Sequence, residues 1–306
     1  MTKKELIAFF ENCNICPHNC NINRFKQLGV CRAPVIYKNN TLYFKLNLYQ
    51  PFFHEEPVIT PPSGSGNIFF SHCNLKCIYC QNFEISHNGN GYLVSLERFI
   101  EIIITLYQKG CYYINFVSPT HYAPIIIYAA KKIKKQYPDI KFIYNTNAYD
   151  NVETIKNMKD IIDIYLPDFK YGYDSIAQKY SNIKNYKNTA IKAIKQMIIN
   201  TEKIIIKEKM LQKGVIIRHL ILPSNIKNSL KVIFLINKYF QKNILLSLMS
   251  QYIPYGNSQK FPEINKKLQK EEYLIAYKYS FEKHEFDGFF QDLDSATDDY
   301  IPDFIK

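Results

Sequence analysis

A chain of 306 residues with 47% hydrophobic content is long enough to bury a full core, as one large domain or one domain with a small appendage. The formal charge is +12, but the lysines are scattered and form no basic run of the kind that binds nucleic acid. No apolar stretch reaches the ~18 residues of a membrane helix, and no cleavable signal pattern is present, so we expect a cytoplasmic protein without a membrane or nucleic-acid partner.

Seven of the eight cysteines lie in the first third of the chain, four within residues 13–31 and three within residues 73–80. In the reducing cytoplasm, cysteines grouped in this way indicate metal binding before disulfides. The loop sequence TPPSGSG at residues 60–66 separates the two groups. We therefore expect a cysteine-rich N-terminal module at residues 1–60, a main domain at 61–255 and a C-terminal extension at 256–306.

Strands and helices are predicted to alternate after this loop. Short apolar runs rich in β-branched and aromatic residues predict buried strands at residues 67–71, 113–117, 141–145, 161–166, 215–219 and 244–249. Amphipathic segments predict helices at residues 96–108, 124–137, 152–159, 189–199 and 226–239. Asn151 and Asn225 are expected to cap the helices that follow them. This alternation implies an α/β fold with a parallel sheet, as a partial or full barrel.

Three cysteines follow the first predicted strand directly, in the string SHCNLKCIYCQN. Cys73, Cys77 and Cys80 are spaced Cys-x3-Cys-x2-Cys, and thiolates are the ligands that Fe–S clusters need. Three thiolates on one tight loop can hold three irons of a cluster and leave the fourth iron open for a small ligand. A zinc site is the alternative, with His72 as its fourth ligand.

Four further cysteines form a second group near the N-terminus. Cys13, Cys16, Cys20 and Cys31 are spaced Cys-x2-Cys-x3-Cys-x10-Cys, which is a complete set of four thiol ligands. Either a second Fe–S cluster or a structural zinc ion would suit them, because spacing does not choose the metal. A role in electron relay, substrate docking or folding is open.

Polar residues follow the predicted strands at the edge where ligands bind in parallel sheets. We expect these residues to converge on one ligand; they are Ser118, Thr120, Asn145, Asp168, Lys170 and Arg218. Arg218 can hold a carboxylate in a two-pronged hydrogen bond. His219 is either part of this site or a hydrogen-bonded core histidine.

The Cys-x3-Cys-x-aromatic-Cys motif and the string GSGNIFFSHCNLKCIYCQNFEIS at residues 64–86 resemble the radical S-adenosylmethionine (SAM) superfamily. The similarity is to the branch related to pyruvate formate-lyase activating enzyme, and to members of that branch with extra N-terminal cysteines. It extends to NFVSPTHYAP, DIYLPDFKY and VIIRHLILP at residues 115–124, 163–171 and 215–223. The resemblance implies a partial (βα)6 TIM-type barrel with a small N-terminal metal-binding module. It also implies a 4Fe–4S cluster that binds SAM at Cys73, Cys77 and Cys80.

The resemblance also suggests where SAM lies. The segment of Ser118 and Thr120 corresponds to a Gly-Gly-Glu-Pro loop that receives the amino group of SAM in relatives, although this chain has neither the Gly pair nor the Glu. Asp168 and Lys170 match an Asp-x-Lys pair that lies against the methionine or ribose part of SAM; a surface ion pair is the alternative. Tyr79 is an aromatic residue against which a bound adenine can stack, or an ordinary loop residue.

The implied function is that of an oxidoreductase that reductively cleaves SAM to a 5′-deoxyadenosyl radical and abstracts hydrogen. A flavodoxin- or ferredoxin-type protein would donate the electron, and a glycyl radical protein would be the substrate. One alternative is a radical SAM enzyme that modifies RNA or a small molecule. Another is a non-enzymatic Fe–S or zinc-binding protein. No residue is predicted to be catalytic.

Overall fold

A computed structural model describes residues 1–297 and 302–304. This part of the chain contains eleven strands: β1 (Val35–Lys38), β2 (Thr41–Phe52), β3 (Ser65–Phe70), β4 (Tyr92–Ser95), β5 (Tyr113–Val117), β6 (Lys141–Thr146), β7 (Ile164–Pro167), β8 (Ile205–Lys207), β9 (Met210–Leu220), β10 (Leu245–Met249) and β11 (Gly288–Phe290). Its nine α-helices are α1 (Lys3–Glu11), α2 (Phe83–Ser86), α3 (Leu96–Gln108), α4 (Ala123–Lys134), α5 (Val152–Lys156), α6 (Asp174–Ser181), α7 (Tyr186–Thr201), α8 (Ile226–Phe240) and α9 (Lys270–Tyr277). Within the described ranges, no helix combines the length and the apolar character needed to cross a membrane.

Six neighbouring parallel strands form the centre of the sheet, in the order β3-β5-β6-β7-β9-β10. The antiparallel strand β2 lies beside β3, and β11 continues the sheet beyond β10 in the parallel direction. The strand order runs from β1 to β11 without closing on itself. The predicted α/β fold and partial barrel are therefore confirmed, and the six predicted strands are the central ones.

Most residues of the central strands are buried because helices cover the sheet. Every residue of β3, β5 and β10 is buried, as expected for parallel strands whose two faces both pack against other parts of the protein. Helix α3 shows the matching pattern: Leu96, Phe99, Ile102, Ile103 and Leu106 form its buried face at a spacing of three to four residues. The five predicted helices correspond to α3, α4, α5, α7 and α8.

Asn151 and Asn225 occupy the N-cap positions of α5 and α8 as predicted, but neither side chain makes a capping hydrogen bond. Asn151 Nδ2 donates to the carbonyl of Asn14 and to Oδ1 of Asn19, at 2.6 and 3.1 Å. Asn225 Nδ2 donates to the carbonyl of Pro223 at 2.9 Å and to the hydroxyl of Tyr180 at 3.2 Å. Each side chain therefore bonds outside its own helix.

The segments outside the central strands also join the sheet. β2 belongs to the predicted N-terminal module, yet it pairs with β3 from Leu46↔Phe70 to Phe52↔Ser65. β11 belongs to the predicted C-terminal extension and pairs with β10 from Leu246↔Gly288 to Leu248↔Phe290. The predicted boundaries near residues 60 and 255 remain predictions, but both flanking segments are hydrogen bonded to the barrel.

Pairing of β11 with β10 depends on the glycine at its start. Gly288 has φ +153°, and a Cβ there would lie 1.9 Å from Leu246 O. We expect Gly288→Ala to detach β11 and to lower the free energy of unfolding by about 1–3 kcal/mol. The Leu246 amide donates to Asp287 O, so its hydrogen exchange should become faster in the variant. Gly110→Ala is the matched control, because Gly110 also has a positive φ (+91°) but a Cβ there meets no atom closer than 3.4 Å. An equal loss in the control would show that the clash with β10 is not the cause.

Candidate active site

Three cysteines lie on the loop that follows β3, at the carboxyl end of the parallel sheet. Cys73 and Cys77 are buried and Cys80 is half-buried. Each sulfur accepts at least one hydrogen bond: Cys73 from the Leu75 N–H and Asn147 Nδ2 (both 3.4 Å), Cys77 from Ser181 Oγ (3.2 Å) and Cys80 from Ser86 Oγ (3.3 Å). Donors directed at sulfur stabilise thiolates, the form that binds iron.

The three cysteines line one wall of a cavity of about 530 Å³ inside the barrel. Its lining also includes Phe52 and Glu56, which lie near the start of β3, and Phe289 and Phe290 of β11. Such a partly apolar cavity, with a few polar groups on one side, is typical of a small-molecule or cofactor site.

A network of paired charges forms the polar wall of the cavity. Arg218 Nε donates to Asp168 at 2.7 Å, and Lys170 Nζ donates to the other oxygen of the same carboxylate at 2.8 Å. The Arg218 Nη atoms reach Glu55 at 3.3 Å and Asn145 Oδ1 at 2.6 Å. The ionic side chains are only 8–17% exposed, so each charge depends on its partners for compensation.

The network separates the pKa values of its two carboxylates. Burial alone would raise the pKa of Asp168, but Arg218 and Lys170 outweigh it and hold that pKa below its usual value. Burial raises the pKa of Glu55 despite Arg218, with Glu56 and Asp168 adding to the increase. Asp168 therefore carries the firmer negative charge of the two.

The structure brings most of the predicted site residues to the cavity. Its lining includes Tyr79, Ser118, Asn145, Asp168, Lys170 and Arg218. Ser118 has φ +53° and donates its N–H to Asn145 O at 3.0 Å, so it turns the chain at the end of β5. Thr120 is not in the lining; its hydroxyl is buried and donates to Asp150 at 2.8 Å. Tyr79 is buried, and its hydroxyl donates to that of Tyr171 at 2.9 Å.

His219 belongs to the core and not to the cavity. Its side chain is fully buried, Nδ1 is 2.8 Å from Phe169 O, and Nε2 has no partner among the described residues. Burial lowers its pKa to about 4. Of the two interpretations of His219, a site residue or a hydrogen-bonded core histidine, the structure supports the second.

Several cavity residues were not predicted from the sequence. Glu55 and Glu56 follow β2, and Glu55 also accepts hydrogen bonds from Asn67 and Asn115 at 2.8 and 2.7 Å. Gln81 and Gln291 were not predicted either; both contact Gln251, which follows the sixth predicted strand and was expected at this edge. Gln291 donates to Gln251 Oε1 at 2.6 Å, and Gln81 donates to the carbonyl of Gln251 at 3.1 Å. No local pattern marks these residues, because their partners lie 12 to 170 positions away along the chain.

Comparison with known proteins supports one family. The Radical SAM superfamily model matches residues 67–206. An uncharacterised protein of Methanocaldococcus jannaschii is 30% identical over 288 residues, which cover 91% of this chain and 76% of the relative. The chain belongs to the radical SAM superfamily.

Two solved structures share the fold with this chain at low sequence identity. A radical SAM methyltransferase from Sphaerobacter thermophilus matches with a TM-score of 0.52 and 8% identity, covering 86% of this chain and 78% of that one. SuiB of Streptococcus suis bound to the precursor peptide SuiA matches with a TM-score of 0.50 and 14% identity over 74% of this chain. The present chain spans about half the length of SuiB, 48%.

Membership of this superfamily implies a 4Fe–4S cluster and SAM. The residues around the cysteine loop fit such a group, since three thiols with hydrogen-bond donors face a cavity that has polar side chains nearby. Within residues 1–297 and 302–304, no three His, Cys, Asp or Glu side chains are arranged to hold a single metal ion.

The buried neutral His219 makes stability depend on pH. The unfolded chain binds a proton at this histidine below about pH 6.5, whereas the folded chain does not until about pH 4, so stability falls as the pH falls. We expect His219→Gln to remove about 2 kcal/mol of the stability change between pH 7 and pH 5. Denaturant titrations of wild type and variant at both pH values measure this difference. His284→Gln, at a less buried histidine, is the control, and parallel pH profiles for wild type and His219→Gln would contradict the prediction.

Proposed function

We propose that Cys73, Cys77 and Cys80 hold the 4Fe–4S cluster of this radical SAM enzyme and that SAM binds in the adjoining cavity. When bound and reduced, cluster and SAM together supply a 5′-deoxyadenosyl radical, which abstracts a hydrogen atom from a substrate. The observation that carries the proposal is the convergence of three hydrogen-bonded thiols and the Asp168–Lys170–Arg218 network on one cavity.

The protein's own residues would position the reactants and tune the cluster. Asn147, Ser181 and Ser86 each direct a donor at a different cysteine sulfur. Asn145 and Lys170 line the cavity beside the cysteines, where they can contact the polar parts of SAM. Both side chains are already hydrogen bonded within the network before a ligand binds, so less free energy is needed to organise the site.

The hydroxyl of Ser181 is expected to raise the reduction potential of the cluster. Its hydrogen bond to Cys77 Sγ favours the more negative, reduced state. Ser181→Ala should therefore shift the midpoint potential to a more negative value, as measured by EPR-monitored redox titration. Ser229→Ala is the matched control, since Ser229 is also buried but its hydroxyl has no partner among the described residues. An unchanged potential in Ser181→Ala would contradict this role.

We further propose that the substrate is a glycine of a protein partner, as in activating enzymes. The supporting feature is β11, which lines the cavity and forms the last strand of the sheet among the described residues. Gln291 N donates to Leu248 O, and Asp287 O accepts from Leu246 N, so residues 287 and 291 direct backbone groups at β10. By alternation, Gly288 and Phe290 direct theirs away from β10, where an extended peptide can pair.

The charges of the cavity are also compatible with a peptide. Lys170 and Arg218 are both paired with carboxylates, so neither is free to bind a phosphate backbone. Glu56 is 8% exposed, and its Oε2 has no hydrogen-bond partner among the described residues. A peptide N–H would satisfy this oxygen. These features favour a protein substrate over the alternative of RNA.

Isotope transfer separates the three classes of substrate. Cells that make this protein would be grown either with deuterated glycine or in fully deuterated medium. Each lysate would then be separated into protein, RNA and small-molecule pools. Each pool is then incubated with the reconstituted enzyme, dithionite and SAM. Glycyl abstraction predicts deuterium in 5′-deoxyadenosine from the protein pool labelled with glycine. Transfer from the RNA or small-molecule pool alone would contradict it.

The edge of β11 can be tested in the same assay. Phe290→Pro removes the outward N–H of the strand and should reduce deuterium transfer from the protein pool, while 5′-deoxyadenosine release without substrate continues. Phe290→Ala is the control, because it removes the same ring and keeps the N–H. Equal transfer by the two variants would show that backbone pairing at β11 does not hold the substrate.

A further inference from the structure

The four N-terminal cysteines form a second compact group of thiols after α1. Cys13, Cys16 and Cys31 are buried, and Cys20 is half-buried. The Asn21 N–H donates to Cys13 O at 2.9 Å, which brings Cys20 beside Cys13. The Arg32 N–H donates to Gly29 O at 2.9 Å, and a Cβ on Gly29 would lie 3.1 Å from Cys20 Sγ, so the turn that carries Cys31 packs against Cys20.

The two cysteine groups share a backbone arrangement. The Asn19 N–H donates to Cys16 O at 3.0 Å, and the Cys80 N–H donates to Cys77 O at 3.2 Å, so a turn of the same size follows a cysteine in each group. At the second of these groups, the Leu75 N–H also donates to Cys73 Sγ at 3.4 Å. Backbone donors directed at sulfur stabilise ligating thiolates and tune the potential of Fe–S clusters.

Left-handed residues direct the chain around both groups. Asn19, Asn21 and Arg32 have φ of 41°, 51° and 58° beside Cys20 and Cys31. His72 and Lys76 have φ of 71° and 53° beside Cys73 and Cys77. Left-handed residues alternating with right-handed ones point successive N–H groups into a concavity that favours negative charge, as at many Fe–S sites.

The two groups are in direct contact through their loops. His18, between Cys16 and Cys20, places Nε2 2.7 Å from the carbonyl oxygen of Asn74, which follows Cys73.

We propose that Cys13, Cys16, Cys20 and Cys31 bind a second Fe–S cluster, which relays electrons to the SAM-binding cluster across the His18–Asn74 contact. A flavodoxin- or ferredoxin-type protein would reduce the second cluster by one electron. That electron then passes to the first cluster and returns the second to its oxidised state, with no bond made or broken. The relay rests on the proposed function, whereas binding of the second cluster does not.

A cluster suits these thiols better than zinc. Zinc draws four ligands to about 2.3 Å from one ion, whereas a cluster places several irons and sulfides between its thiolates. The group at Cys73, Cys77 and Cys80 lies in the segment that the superfamily model matches, and the His18–Asn74 contact joins the N-terminal group to it. An Fe–S cluster at this position can carry electrons, whereas zinc has no redox chemistry.

The second group lies close to the protein surface. A Cβ on Gly29 would stand 3.1 Å from Cys20 Sγ, so the backbone there covers the sulfur closely. On either side of Gly29, Leu28 and Val30 are 58% and 54% exposed, and Lys26 is exposed nearby. An acidic electron-transfer protein can approach this apolar and basic surface.

Metal analysis tests the second cluster without any activity measurement. Wild type and the triple variant Cys73→Ala/Cys77→Ala/Cys80→Ala are reconstituted anaerobically, and iron, sulfide and zinc are counted per chain. We expect about eight irons in wild type and about four in the triple variant. Cys16→Ser should also lower the count of wild type to about four. No iron in a folded triple variant, or one zinc in its place, would overturn the proposal, even if SAM cleavage were confirmed.

The relay is tested by comparing two reductants. Dithionite is small and can reduce the first cluster directly, whereas a flavodoxin would use the second. We expect His18→Ala to keep the iron content but to lose severalfold in the ratio of flavodoxin-driven to dithionite-driven 5′-deoxyadenosine release. His18→Gln, which keeps a side-chain donor for Asn74 O, should recover the ratio. An unchanged ratio in His18→Ala would overturn the relay. The metal analysis alone would then decide whether the second cluster is present.

Discussion

The interior of this barrel depends on charges that compensate one another. Arg218 on β9 binds Asp168 after β7 and Glu55 after β2, so one guanidinium joins three separate segments. Removing one partner of such a buried pair leaves an uncompensated charge, which costs about 3–5 kcal/mol. Because these charged groups compensate one another, the rest of the cavity lining can be partly apolar without leaving any of these charges unpaired. The position of every residue beside the cysteine loop follows from this arrangement.

Much of the fold could be predicted because the apolar residues of each central strand by themselves indicate a buried strand. Runs such as YINFV and LLSLM are buried on both faces, so each of them predicts a parallel strand from its own residues alone. The strand order then places Asn145, Asp168 and Arg218 at one edge. The cysteine loop follows from the same logic, since it comes directly after the first of these strands.

What could not be predicted depends on distant partners. In the sequence, Glu55 is one acid in a charged loop, and contacts with Asn67, Asn115 and Arg218, which is 163 positions away, bring it into the barrel. β11 has three residues, too few for a periodic pattern, and it exists as a strand because β10 is available to pair with it. Asn151 has the chemistry of a helix cap, but the carbonyl of Asn14 competes successfully for its amide. In each case a tertiary contact outweighs a local preference.

The late position of β11 in the chain has a consequence for the order of assembly. During synthesis, the cysteine loop and all six central strands precede Gly288, because β10 ends at Met249. Until β11 docks on β10, the part of the cavity lining that Phe289 and Phe290 contribute is missing. The cavity is therefore wider while the chain is incomplete and becomes narrower once β11 pairs. Completion of this cavity is consequently a late step of folding.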